Sequence, residues 1–279
     1  MPGPARRVDF AVIGVQKAGT TALFHFLSQH SRICAPDTKE LHFFDDDSRC
    51  WACPDYRDYL CRFPKRRDCI RGEATPSYIW WPQALERLHA HNREVKVIAL
   101  FRDPVDRAHA HWRMSRSMGR ECLDFSSAIR AGRRRFATTA SDDPRRRHFS
   151  YVERGFYGAQ VERLLSIFPR TQVLMLRQDD LALRHGETLA RVFDFLELEG
   201  EEVASQRVFS GDAATHVRED DAAYLAEAYS GDLIRFAELS RLDVSDWLTF
   251  SPSEKTCHTL RRGSLGGVTS IIPLSSAVP

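Results

Sequence analysis

Three stretches of the chain read as buried strands. Val8–Val15 (VDFAVIGV) is a short β-branched run closing on a glycine, the signature of a strand buried on both faces of a parallel sheet. Val95–Phe101 (VKVIALF) and Gln172–Leu176 repeat that signature. Helical spacing takes over between and after them. Thr20–Gln29 places Leu23, Phe26 and Leu27 on one face. Val105–Arg116 reads as a helix, as does a segment from about Gly158 to Phe168 that Pro169 stops. Thr188–Leu196 and Asp220–Leu239 are further helices. Strands alternating with helices predict an α/β fold with a central parallel sheet and right-handed crossovers.

Composition narrows the class. The 279 residues are 43% hydrophobic and 28% charged, with a formal charge of +2, which excludes a disordered chain. No repeat of 20–50 residues and no Gly-X-Y period occurs. One large α/β domain, or two small ones, fits the length. A Ser/Thr/Gly/Pro-rich stretch without aromatics after Phe250 predicts a domain over 1–250 and an irregular tail over 251–279, with apolar Ile271–Leu274 unexplained. No run approaches the ~20 apolar residues of a membrane span, since Val95–Phe101 is short and contains Lys96. Met1–Asp9 lacks the apolar core of a secretory signal. A cytoplasmic protein is therefore expected, with its seven cysteines as reduced thiols. Cys50-Trp51-Ala52-Cys53 followed by Cys61 and Cys69 invites a zinc or redox reading, but the second pair is spaced C-x₇-C, and Cys61 falls at an apolar position of a short helical stretch. Ordinary thiols are expected. The eleven histidines form no H-E-x-x-H pattern; His89, His91, His109 and His111 read as surface or helix-face residues. Arg130–Arg147 holds seven arginines and reads as a solvated, mobile loop, with a basic lid over a ligand as the alternative. A net charge of only +2 for the whole chain, and arginines in that loop that do not alternate with aromatics, argue against a nucleic-acid partner.

The most informative stretch is Gly14-Val15-Gln16-Lys17-Ala18-Gly19-Thr20-Thr21, between a strand and a helix. Backbone N–H groups of such a loop converge on one spot, and the helix N-terminus adds about half a positive charge there. This is an anion cradle suited to phosphate. It is not a Walker A loop, which needs lysine after the second glycine. Here Thr20 holds that position, and the lysine is Lys17 inside the loop. A kinase also uses an acidic residue on a neighbouring strand to hold Mg²⁺. The second strand ends instead in Phe101-Arg102, which predicts a second phosphate and no essential metal.

GVQKAGTTAL resembles the 5′-phosphosulfate loop of sulfotransferases that use 3′-phosphoadenosine-5′-phosphosulfate (PAPS), in the variant of the heparan-sulfate-type branch. Four further stretches agree in order. Lys39-Glu40-Leu41-His42-Phe43-Phe44 is similar to that branch's K-E-x-H-F-F, and Gly72–Tyr78 (GEATPSY) to its E-x-[ST]-P-x-Y. Leu100–Ala108 (LFRDPVDRA) resembles the 3′-phosphate segment R-x-P-x-x-R-x-x-S, and Leu242–Trp247 the final turn of the domain. The likeness spans about residues 8–248.

The resemblance implies a P-loop-like three-layer α/β fold and transfer of a sulfuryl group from PAPS to a hydroxyl of a small-molecule, glycan or lipid acceptor. In the family Lys17 contacts the 5′-phosphate and the leaving oxygen, where a fixed cation stabilises developing charge. Ala18, Gly19, Thr20, Thr21 and Ala22 complete the cradle, and Arg102 takes the 3′-phosphate. Glu40 is the candidate general base. His42, sharing its face on an extended segment, would orient Glu40 or the acceptor. Two departures stand out. The serine expected eight residues after Arg102 is Ala110, which removes one 3′-phosphate hydrogen bond unless His109, His111 or a later residue such as His216 or Arg218 compensates. Ala74 stands where polysaccharide-modifying members often carry lysine, and Tyr78, Trp80 and Trp81 suggest an aromatic, less charged acceptor pocket. A P-loop nucleotide-dependent phosphotransferase is the competing reading.

Overall fold

The structure, a computed structural model, describes residues 7–140, 143, 145–205, 217–247 and 249. Five parallel strands form its sheet: β1 (Phe10–Gly14), β2 (Ile33–Cys34), β3 (Ile70–Ala74), β4 (Lys96–Phe101) and β5 (Val173–Arg177). Their order is β2-β3-β1-β4-β5. The helices are α1 (Thr20–Leu27), α2 (Arg57–Leu60), α3 (Ala84–His91), α4 (Pro104–Ser117), α5 (Phe125–Thr138), α6 (Arg146–Phe149), α7 (Tyr157–Ile167), α8 (Gln178–Leu183), α9 (His185–Phe195) and α10 (Glu219–Ser240).

β1 lies at the centre, paired with β3 on one side and β4 on the other, and all five of its residues are buried. That is why it is apolar throughout rather than alternating. Phe10 sits opposite Gly72, where any Cβ would come within 2.0 Å of the phenyl ring, so β3 approaches β1 only with glycine there. α1 and α9 cover one face, joined by Phe26 on His185 and His30 on Phe193. α7 and α10 cover the other, where Phe101 meets Tyr157 and Phe236 with ring centroids 5.2 and 4.7 Å apart. The result is a three-layer α/β fold. Trp247 stacks on Phe236, which docks the end of the described chain on the same core. A smaller core joins α4, α5 and α10 around Val105, Ile129, Tyr151 and Tyr229. Arg107, fully buried, links α4 to it by donating to the Tyr151 carbonyl.

The strands and helices legible in the sequence appear within a few residues of their expected bounds. Others differ. β2 and β3 escaped the hydrophobic pattern because β2 is two residues long and β3 (IRGEA) carries Arg71 and Glu73. The arginine-rich segment is not a mobile loop over its described part. It forms the second half of α5 and the start of α6, and its arginines lie on aromatic faces: Arg135 over Phe149, Arg146 over Phe136 and Arg147 over Trp81, at 4.1, 4.0 and 3.8 Å. Stacking with burial of the aliphatic stems is what orders so charged a run. Cys34 and Cys69 form a disulfide, which corrects the expectation of reduced thiols throughout. The pairing of β2 with β3 brings their Cα atoms to 5.7 Å, within bridging reach. Cys61 follows a four-residue helix and is exposed rather than apolar-facing, and Cys50, Cys53 and Cys122 are exposed too. His91 and His111 are buried, not on the surface. Burial pulls His91 down to about 4, and as a neutral ring its Nε2 accepts from the Val8 N–H at 3.3 Å. The tail 251–279 and His216 lie outside the described residues. Among the described residues no helix is long and apolar enough to cross a membrane.

Candidate active site

The glycine loop leaves the carboxyl end of β1 and enters α1. Its shape is set by backbone hydrogen bonds: the Val15 N–H donates to the Leu100 carbonyl at 2.7 Å and the Ala18 N–H to the Val15 carbonyl at 3.1 Å. Gly19 takes φ +83°, a left-handed conformation that strains any residue with a side chain. No side chain caps α1, and its first turn contains no acidic residue. The Leu23 N–H bonds to the Gly19 carbonyl, so the amides of Thr20, Thr21 and Ala22 precede the first intrahelical bond and point out of the helix end. Ala18 and Thr20 are buried; Gly19, Thr21 and Ala22 are partly so. These free donors fit a phosphate oxygen set.

Lys17 also adopts positive φ, at +71°. Its ammonium makes no ion pair among the described residues and rests 3.9 Å from Met114 Sδ, a weak acceptor. Burial, and then the nearby Arg102 charge, push its pKa below the ordinary lysine value, while Glu40 pulls it up. Lys17 and Arg102 are therefore near enough for one charge to act on the other. Arg102 follows β4 directly; its Nη2 lies 3.4 Å from Asp106 Oδ2, and its carbonyl accepts from Tyr157 Oη at 2.9 Å. Asp103 beside it caps α4, accepting from the Val105 N–H at 2.8 Å, and is itself held by Thr249.

The Glu40 N–H donates to the Ala74 carbonyl at the end of β3, at 3.1 Å. Lys17, Arg102 and Glu40 therefore hang from the carboxyl ends of β1, β4 and β3, the edge where open parallel sheets bind ligands. Glu40 and His42 do meet, with His42 Nε2 3.6 Å from Glu40 Oε2. The cause is not the pleat of an extended segment. Both residues have positive φ, +61° and +49°, and the turn brings their side chains together. His42 Nδ1 donates to Asp45 Oδ2 at 2.9 Å. Asp45 is fully buried and also accepts from Ser77 Oγ and from Arg147 Nη1 at 2.8 Å. The hydrogen bonds to Asp45 and Glu40 outweigh burial and lift His42 to about 9. Burial works against the Glu40 charge, but His42 and the Lys39 ammonium at 2.6 Å hold its carboxyl down at about 2. At neutral pH the centre is an imidazolium between two carboxylates.

Comparisons with known proteins identify the family. The sulfotransferase domain family matches residues 7–211. The chain belongs to the sulfotransferase family. Heparan sulfate glucosamine 3-O-sulfotransferase 3B1 of Homo sapiens is 33% identical over 191 residues, 67% of this chain and 45% of that protein. Heparan sulfate glucosamine 3-O-sulfotransferase 6 of Homo sapiens is 31% identical over 201 residues, covering 71% and 54%. The chain spans about half the length of the curated relatives it matches. The crystal structure of a sulfotransferase from Alicyclobacillus acidocaldarius superposes with a TM-score of 0.73 at 26% identity, over 87% of this chain and 99% of that one.

At this candidate site several residues were not foreseen. Asp45, three positions after His42, was readable from the DDD run but carries no motif of its own. Arg113 acts on the Lys17 charge, and Arg147 arrives from over a hundred residues away. Ala110 lies part-buried on α4 and offers no hydrogen-bonding atom. Of the residues named as substitutes, half-buried His109 stacks on Trp112, and its pKa is lowered by burial, then by Arg113 and also by Arg102, so it stands at the Arg102 corner. His111 is fully buried against Tyr151. The aromatic acceptor pocket is corrected in part. Tyr78 is core, with its Oη accepting from the Phe43 N–H and donating to Glu73, and Trp81 is buried beneath Arg147. Part-exposed Trp80 carries Arg154 on its face. Among the described residues no group of three or more His, Cys, Asp and Glu side chains could hold a metal ion.

Proposed function

We propose that the protein transfers a sulfuryl group from PAPS to a hydroxyl of a small-molecule, glycan or lipid acceptor. The observation that carries this reading is the convergence of Lys17, Arg102 and Glu40 on one end of the sheet around an uncapped helix N-terminus. Bound there, PAPS would supply the sulfuryl group. The amides of Gly19 to Ala22 and the Thr20 and Thr21 hydroxyls would hold its 5′-phosphate, and Arg102 its 3′-phosphate as a planar fork. Lys17 would set a fixed positive charge where the leaving oxygen gains negative charge. Glu40 would accept the acceptor's hydroxyl proton. Its low pKa keeps it ionised; separation from Lys39 as an acceptor binds would raise its basicity. A carboxylate base suits an alcohol or phenol better than an amine.

The acceptor class rests on supporting observations. The matched relatives are named for heparan sulfate, and a pocket lined by Thr38, Glu40, Arg49, Asp58 and Arg62 opens beside the base. These favour a glycan within the three classes. The test is direct. Purified protein with PAPS should release adenosine 3′,5′-bisphosphate only when an acceptor is added, and the product should gain the mass of one SO₃. Adenosine 3′,5′-bisphosphate should raise the melting temperature. Stabilisation by ATP with Mg²⁺ alone would overturn this reading in favour of a phosphotransferase. The cytoplasmic location is testable on the disulfide, since the cytosol keeps thiols reduced: alkylation in cells should find Cys34 and Cys69 free there, and joined in an oxidising compartment.

A further inference from the structure

Arg147 reaches the Glu40–His42–Asp45 centre from α6, across the cleft from the loop it touches. Its Nη1 donates to Asp45 Oδ2 at 2.8 Å, and its Nη2 donates to the Asp45 backbone carbonyl. Its guanidinium carbon lies 3.8 Å from the Trp81 ring centroid. Trp81 is fixed in turn, its Nε1 donating to Asp47 Oδ2 at 3.0 Å. A planar fork seated on an aromatic face holds both the position and the charge of its carboxylate. The same Nη1 is 3.4 Å from His42 Nδ1. One buried carboxylate is therefore shared by two cationic groups.

We propose that Arg147 is a positioning residue for the transfer reaction: by clamping Asp45 it fixes His42 against Glu40 and keeps His42 from binding its proton too tightly. The proposal rests on the reading of Glu40 as the base. The charges facing this pair can be followed element by element. Glu40 and Asp45 come from the His42 segment itself, with Lys39 on the far side of Glu40. Beneath Asp45, Ser77 donates to it, and Glu73 at the end of β3 feels its charge. Lys17 from the glycine loop feels Glu40, and Arg154 feels both Asp45 and Glu40. Among the described residues only Arg147 joins His42 in touching the Asp45 carboxylate as a cation. Without Arg147, the whole Asp45 charge falls to His42. The ring is drawn toward Asp45, away from Glu40, and its proton is held harder.

The deciding measurement is an NMR pH titration of the His42 ring in the full chain without substrate, its signals assigned with a His42→Gln variant. Arg147→Gln should move the His42 midpoint up by about one pH unit, the water-screened effect of removing a unit charge 3.4 Å away. Arg147→Lys keeps the charge and should titrate near wild type. Arg147→Met keeps a stem over Trp81 and replaces the glutamine variant should that one not fold. Turnover of the neutral variants should fall about tenfold with the KM for PAPS unchanged, and the alkaline limb of the pH–rate profile should move up with the midpoint. A His42 midpoint that stays put, or moves down, in a folded neutral variant overturns the proposal whatever happens to turnover. A shifted midpoint in a protein that transfers no sulfuryl group would overturn the functional reading and leave the clamp standing.

Discussion

Glu40→Gln removes one negative charge and the candidate base while keeping the side chain's shape. Two contacts define what is lost: Lys39 Nζ at 2.6 Å and His42 Nε2 at 3.6 Å. The two donors meet different carboxylate oxygens, so glutamine's single oxygen can accept from only one of them, but the Glu40 N–H bond to the Ala74 carbonyl is untouched and the turn should persist. General-base catalysis contributes about 10²–10⁴ in rate, or roughly 3–5 kcal/mol of barrier, and the variant should lose turnover in that range. Glu40 is part-exposed, so its effect on His42 is taken at the dielectric of water. At 3.6 Å this is about 1 kcal/mol, which should lower the His42 midpoint from about 9 to about 8. Lys17 and Arg102 keep their positions, so affinity for adenosine 3′,5′-bisphosphate should stay within about twofold or tighten as a repelling carboxylate disappears. The assay is single-turnover release of adenosine 3′,5′-bisphosphate with PAPS pre-bound and acceptor saturating, paired with calorimetric titration of that bisphosphate. A variant that turns over at the wild-type single-turnover rate refutes the assignment of Glu40 as base.

Lys17→Ala should lower turnover by about 10²–10³, the usual cost of removing a fixed group that stabilises charge formed in the transition state, as read by the same assay. Arg102→Ala should act on binding, weakening adenosine 3′,5′-bisphosphate by about 10–100-fold by calorimetry, with a much smaller change in turnover at saturating PAPS. Reduction of Cys34–Cys69, which closes a sequence separation of 35, should cost about 4 kcal/mol in the chain-entropy account, seen as a lower denaturant midpoint in reductant. The Glu40–His42 pair should also make stability depend on pH at both ends. His42 is raised, so its contribution is full below about 6.5 and lost as pH rises through about 9; Glu40 is depressed, so its contribution is lost as pH falls from about 4.5 through about 2. Melting temperatures across that range should drop at both limits, and His42→Gln should flatten the alkaline one.

The sequence by itself determined the sheet's centre, the glycine loop and its chemistry. β1, and β4 after its opening Lys96, are buried on both faces, so those residues are apolar and visible to inspection. The loop must be built of particular residues, because Gly19 needs its left-handed backbone and a phosphate needs free amides. The candidate site residues Lys17, Glu40, His42 and Arg102 could be named for the same reason: each sits in a local motif. The tertiary structure alone decided the rest. β3 hides Glu73 in a buried strand because Tyr59 and the nearby Thr75 donate to it, and its Arg71 lies over the Phe63 ring. The disulfide depends on β2 lying beside β3, a pairing no spacing reveals. The arginine-rich stretch looks solvated along the chain, yet Phe136, Phe149 and Trp81 order it and deliver Arg147 to Asp45. Period and motif record what a residue needs from its near neighbours. A charge whose partner lies a hundred residues away leaves no such record, because only the folded packing brings the two together.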